Sequence, residues 1–145
     1  MTRRVLVLNG PNLSRLGSRE PSVYGSADYP ALERECVAEG DRLGLSVEVR
    51  QSDRLDDLLD WLAEAQREHA AVVINPAAFT HYSVELGQAC AQLSVPLVEV
   101  HLSNPHAREP FRARSVVSRS AWGVIAGFGF DSYRLALRAI SEVAQ

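Results

Sequence analysis

Short apolar runs alternate along this chain with longer amphipathic stretches. Runs of strand length occur at Val5–Leu8, Val47–Val49, Val72–Ile74, Leu97–Val100 and Gly123–Ala126. Between them, apolar residues recur at helical spacing. Leu32, Cys36, Gly40 and Leu43 form one stripe, with Asp28 as its expected N-cap and Gly44 just past its end. Leu55, Leu58, Leu59, Leu62 and Ala65 form the next, with Asp53 as its expected cap. Its outer face carries Asp56, Asp57, Asp60, Glu64 and Glu68, a solvated face. A third helix is expected from about Ser83 to Leu93, and a last one carries Tyr133, Leu137, Ile140 and Ala144.

Five strands alternating with four helices predict an α/β fold, a doubly wound parallel sheet with helices on both faces. The size suits the flavodoxin-like variety, with strand order 2-1-3-4-5 and one domain over residues 1–145. In that order the winding direction switches between strands one and three, so a ligand is expected just beyond their carboxyl ends.

Polar residues collect there. Strand one is followed by Asn9-Gly10-Pro11-Asn12, and strand three by Asn75-Pro76 and then Thr80-His81. Strand four runs through Glu99 and His101 into Ser103-Asn104, followed by Arg108 and Arg112. Each has an ordinary structural explanation on its own: a turn for Asn12, partial burial for His101, solvated helix ends for the arginines. Their joint occurrence at successive strand ends favours a site. The connection after strand one is long, and structureless loops beyond roughly 12–15 residues are uncommon and often functional. Its glycines, Gly17 and Gly25, bracket Arg19 and Tyr24, as in a hinged lid over about residues 17–25. A tyrosine is a poor base at neutral pH unless a neighbouring cation lowers its pKa from about 10. An arginine suits that task because it stays charged.

Composition narrows the chemistry. All 15 basic Lys+Arg residues are Arg, so no lysine can form a Schiff base, anchor pyridoxal phosphate or complete a P-loop. Codon bias in a GC-rich genome is the simplest cause; the exclusion holds regardless. A net charge of -3 argues against nucleic acid as a partner. Cys36 and Cys90 read as reduced, buried thiols of a cytoplasmic protein. The apolar run after Arg3-Arg4 ends at Asn9-Gly10, too short for a signal peptide, and no stretch could span a membrane. His81 and His101 lack a second ligand at metal-binding spacing. No Gly-x-Ser-x-Gly elbow is present, and Gly127-Phe128-Gly129 follows the last strand, where a dinucleotide fingerprint has no function. The segment after strand one also lacks the Ser/Thr-rich phosphate loop of a flavodoxin-type FMN site.

Specific motifs cover almost the whole chain: Leu8-Asn9-Gly10-Pro11-Asn12-Leu13, Arg19-Glu20-Pro21 through Tyr24-Gly25, Gln51-Ser52-Asp53, Asn75-Pro76, and Thr80-His81 with Ser83-Val84. Glu99-Val100-His101-Leu102-Ser103-Asn104, His106-Ala107-Arg108-Glu109 and Phe111-Arg112 continue the series. In this the chain resembles the type II 3-dehydroquinate dehydratases. The resemblance implies a cofactor-free, metal-free enzyme that removes water from 3-dehydroquinate by anti elimination through an enolate. It implies Tyr24 as the base, with Arg19 and Arg108 as the cations that favour its phenolate. Asn12 would hold a water against the enolate oxygen, and His101 would protonate the departing hydroxyl. Glu99, two residues earlier on the same strand face, would orient His101. Asn75, His81, Arg112 and the backbone at Leu102 and Ser103 would bind the substrate's hydroxyls and carboxylate. The resemblance also implies a homo-oligomer, a dodecamer of trimers.

Three departures stand out. Gly87-Gln88 replaces the family's usual Arg-Asp, whose Asp reaches a neighbouring subunit's site, so Gln88 supplies no charge there. Ala77 stands where Gly is usual and Pro110 where Glu is common, which bears on loop shape. A non-catalytic paralogue binding shikimate-type ligands is the alternative; retention of Tyr24, Arg19 and His101 argues against it.

Overall fold

A computed structural model of the chain describes residues 2–17 and 27–143. Its five strands are β1 (Arg3–Asn9), β2 (Leu45–Gln51), β3 (Ala71–Asn75), β4 (Leu97–His101) and β5 (Gly123–Ala126). They form one parallel sheet in the order β2-β1-β3-β4-β5. The helices are α1 (Tyr29–Leu43), α2 (Leu55–Glu68), α3 (Val84–Ala91) and α4 (Phe130–Val143).

Alternate side chains on a strand face opposite sides of a sheet, and here both sides are covered. Val5, Val7, Val73, Val98 and Val100 pack with Leu32 and Cys36 of α1 and Tyr133, Leu137 and Ile140 of α4. Leu6, Leu8, Val72, Ile74 and Leu97 pack with Leu58 and Leu62 of α2 and Leu86 and Cys90 of α3. This is the doubly wound, flavodoxin-like arrangement expected from the pattern. The switch point falls between β1 and β3, where the register pairs their last residues, Asn9 with Asn75.

Local signals set most of the element ends. Asp28 caps α1 by accepting from Ala31 N at 3.0 Å, and Gly44 closes it in the left-handed region. Ser83 caps α3 in the same way through Leu86 N at 3.1 Å. Asp53 does not cap α2. The residue at that cap is Arg54, without a side-chain bond, and Asp53 instead accepts from Asn12 N at 2.9 Å. Helix α3 ends at Ala91, two residues before Leu93. Cys36 and Cys90 are buried, and burial pushes both thiols up to about 12, which leaves them unreactive. No helix among the described residues is long and apolar enough to cross a membrane.

Candidate active site

Three loops at the carboxyl edge of the sheet surround one cavity. The first follows β1. Gly10 lies so close to the β3 loop that a Cβ there would sit 2.6 Å from Pro76 O, and its N–H donates to Asn75 O at 2.8 Å. Asn12 takes a left-handed conformation, φ 69°, which Asn tolerates better than most residues. Gln51 Nε2 donates to Gly10 O and to Asp53 Oδ1, at 3.1 and 2.9 Å. With the bond from Asn12 N to Asp53, the end of β2 thereby anchors the loop that presents Asn12 to the cavity.

The second loop follows β3. Asn75 is buried at the cavity floor, its Oδ1 accepting from Ala77 N at 3.1 Å and its Nδ2 donating to Tyr133 Oη at 2.9 Å. Ala77 has φ 52°, a conformation in which a Cβ is strained. That accounts for the glycine usual at this position. A 3-10 turn, Ala77–His81, then carries His81 to the cavity wall. Nδ1 of His81 donates to Arg114 O at 2.8 Å, which leaves Nε2 for a ligand.

The third loop follows β4. His101 and Glu99 lie on one strand face as expected, with His101 Nε2 2.7 Å from Glu99 Oε2. Glu99 is fully buried, and burial raises its pKa; hydrogen bonds from His101, Thr80 and Ser115 outweigh this and hold it below the usual carboxylate range. Gly127 N and Gly129 N donate to His101 O and Leu102 O, so the Gly-Phe-Gly turn braces the end of β4. Leu102 and Ser103 line the cavity beside His101. Pro110 opens the 3-10 turn Pro110–Ala113, a position that suits proline. Arg112 on that turn donates to Glu109 Oε2 at 2.6 Å, and its guanidinium lies 4.9 Å from the Phe111 ring centre. His81 packs edge-on against the same Phe111 ring, with ring centres 5.6 Å apart.

Of the residues expected from sequence, Asn12, Asn75, His81, His101, Leu102, Ser103, Arg108 and Arg112 line this one cavity. Glu99 stands behind His101. Gln88 is exposed on α3 and does not line it. Tyr24 and Arg19, with most of the expected lid, fall outside the described residues. Arg15 lines the cavity and was not anticipated; it ends the 3-10 turn Leu13–Arg15 that Asn12 precedes, two residues past the first motif. Arg15, Arg108 and Arg112 share the cavity with two histidines, and no carboxylate lines it among the described residues. Such a surface suits a small anion rich in oxygen acceptors. No group of three or more His, Cys, Asp or Glu residues suited to a metal occurs among the described residues.

Comparisons with known proteins agree with this geometry. A family model described as dehydroquinase class II matches residues 3–141. The chain is 61% identical over 134 residues to a 3-dehydroquinate dehydratase of Salinispora arenicola, covering 92% of this chain and 94% of the relative. It is 52% identical over 142 residues to 3-dehydroquinate dehydratase 2 of Pseudomonas aeruginosa, covering 98% and 96%. The crystal structure of the type II dehydroquinase from Propionibacterium acnes superposes with a TM-score of 0.95 at 46% identity, covering 98% of each chain. This chain belongs to the class II dehydroquinase family.

Proposed function

We propose that the protein is a 3-dehydroquinate dehydratase, forming 3-dehydroshikimate and water by anti elimination through an enolate. The observation that carries this is the pairing of His101, on the cavity wall, with a fully buried Glu99 at 2.7 Å. A carboxylate so placed fixes the imidazole ring and stands ready to balance the charge of a proton donor, which is what a general acid for a leaving hydroxyl requires.

In this mechanism Tyr24 removes the proton next to the C3 ketone as a phenolate, with Arg19 as the neighbouring cation. Asn12 holds a water that donates to the enolate oxygen. His101 then delivers its proton to the departing C1 hydroxyl, and Glu99 keeps the charge of the imidazolium balanced. Arg112, Asn75, His81 and the backbone at Leu102 and Ser103 hold the carboxylate and hydroxyls; Arg108 adds positive charge. The guanidinium–carboxylate pairing gives both strength and orientation. We further propose the family's dodecamer of trimers, in which Gln88 meets the site of a neighbouring subunit rather than its own.

The test is growth of enone absorbance when the purified protein is given 3-dehydroquinate. Steady product formation, lost in His101→Ala while ligand still binds, is the expected result. A folded protein that binds substrate-like ligands yet forms no product at high concentration is instead the non-catalytic paralogue.

A further inference from the structure

Behind the Glu99–His101 pair lies a small hydroxyl array that the mechanism above does not use. Thr80, buried at the end of the β3 loop, donates from Oγ1 to Glu99 Oε2 at 2.7 Å. Ser115 Oγ lies 2.8 Å from Glu99 Oε1 and 2.8 Å from Thr80 Oγ1. The same oxygen accepts from Val117 N and Ser118 N, at 3.1 and 2.9 Å. Those two backbone donors occupy the acceptor side of the Ser115 hydroxyl, so its single proton is directed at Glu99. The carboxylate therefore receives three donors: His101 and Thr80 on one oxygen, Ser115 on the other.

We propose that Thr80 and Ser115 are positioning residues for the reaction, holding the Glu99 carboxylate so that the proton it shares with His101 stays on the imidazole. This rests on the dehydratase reading of the site. A buried carboxylate with only one donor would compete for that proton, because nothing else would compensate its charge. Two hydroxyls that cannot accept the proton themselves lower its basicity and fix its plane. The array also joins the loops of the site: Val116 N donates to Thr80 O at 2.7 Å, beside the segment that carries Arg112.

The sign of the effect separates positioning from mere structural support. Glu99 faces His101 on its own strand and Cys90 on α3, whose thiol is too high to titrate at neutral pH. His101 shares the cavity with His81, Arg15, Arg108 and Arg112. When His101 loses its proton, the carboxylate loses its counter-charge, and its remaining donors matter more. Removing one of them penalises the deprotonated pair, so the pair holds its proton to higher pH and is a weaker acid.

The decisive variant is Thr80→Val, which removes the hydroxyl at constant shape, compared with Thr80→Ser, which keeps it. In Thr80→Val, kcat should fall about tenfold, within what general acid catalysis contributes, with KM little changed. The alkaline limb of the kcat profile should move up by about half a pH unit, a fraction of what a hydrogen bond to a charged group is worth. Thr80→Ser should restore both. NMR titration of the His101 ring, resolved from His81 by a His101→Ala reference, should show the same upward shift without any turnover. Should Thr80→Val not fold, Ser115→Ala carries the same ring titration. An unmoved His101 titration, or a loss confined to KM and stability, overturns the inference; absence of product from the parent protein would instead overturn the dehydratase reading.

Discussion

Nδ2 of Asn75 donates to the hydroxyl of Tyr133 at 2.9 Å, tying the floor of the cavity to the middle of the protein. The direction of that bond is fixed by its neighbours. Ala77 N can only donate, so the Asn75 atom it meets is the oxygen. Tyr133 then gives its own proton to Asn9 Oδ1 at 2.6 Å, and Asn9 Nδ2 donates to Arg50 O at 3.2 Å. Two asparagines facing each other at the switch point are thus oriented by one phenol from α4. We predict that Tyr133→Phe leaves a buried donor and a buried acceptor unpaired, at a cost of about 1–3 kcal/mol. KM should rise as Asn75 loses its fixed orientation. Urea unfolding and steady-state kinetics check this; an unchanged midpoint would show that the chain of bonds contributes nothing.

Ala77 sits between Asn75 and His81 at φ 52°, where its Cβ is crowded by its own backbone. Ala77→Gly should relieve that strain, partly offset by the greater freedom of glycine in the unfolded chain. The expected net gain is about 0.5–1 kcal/mol. Thermal unfolding measures it. A loss of stability would mean that the Ala77 methyl, packed against the core beside Tyr133's helix, contributes more than the strain costs.

Most of the fold was legible because its three inner strands, β1, β3 and β4, are buried on both sides and its helices on one. Polar residues hid the true extent of the edges: β2 runs to Gln51 through Glu48 and Arg50, whose side chains pair with each other at 2.8 Å on the sheet's margin. The site's first layer was legible as well, since Asn12, Asn75, His81, His101 and Arg112 follow strand ends that the topology brings together. Its support was not. Asp53 stands where a helix cap belongs, and nothing local reveals that the Asn12 amide, 41 residues away, captures it. Thr80 and Ser115 are loop hydroxyls without periodicity, and only the buried Glu99 between them gives them a shared purpose.

Glu64 on α2 accepts two hydrogen bonds from Arg50, at 2.9 and 2.8 Å, and one from Arg4 at 3.1 Å. The Arg50 bonds outweigh desolvation and, with Arg4, draw its carboxyl down to about 2. A carboxyl lowered on folding contributes stability that is complete above its unfolded value. That contribution is lost as pH falls toward about 2. We predict that Glu64→Gln is less stable than the parent near neutral pH and that the gap closes on acidification. Urea midpoints at several pH values would show it; parallel curves would mean the ion pair is screened to insignificance.

Gly87 and Gln88 occupy α3 beside the segment that holds Glu99. A Cβ at Gly87 would lie 2.9 Å from Val116 O, so the missing side chain lets the helix close on that segment. Restoring only the acid, Gln88→Asp, avoids the clash. If position 88 meets a neighbouring subunit's site, the added carboxylate should lower KM several-fold with little change in kcat or oligomer size. An unchanged KM in an intact oligomer would rule out that contact.

The all-arginine composition makes its own prediction about the ketone. An imine requires an uncharged primary amine, and among side chains only lysine supplies one; among the described residues the basic groups of the cavity are guanidiniums and imidazoles. On the proposed dehydratase mechanism, the C3 ketone is then activated without a side-chain imine, by donors placed where its oxygen becomes an enolate. Borohydride added during turnover should leave the protein's mass and activity unchanged once the reagent is removed. A stable adduct on any internal residue, located by peptide mass spectrometry, would refute the enolate route and with it the roles given to Asn12 and its water.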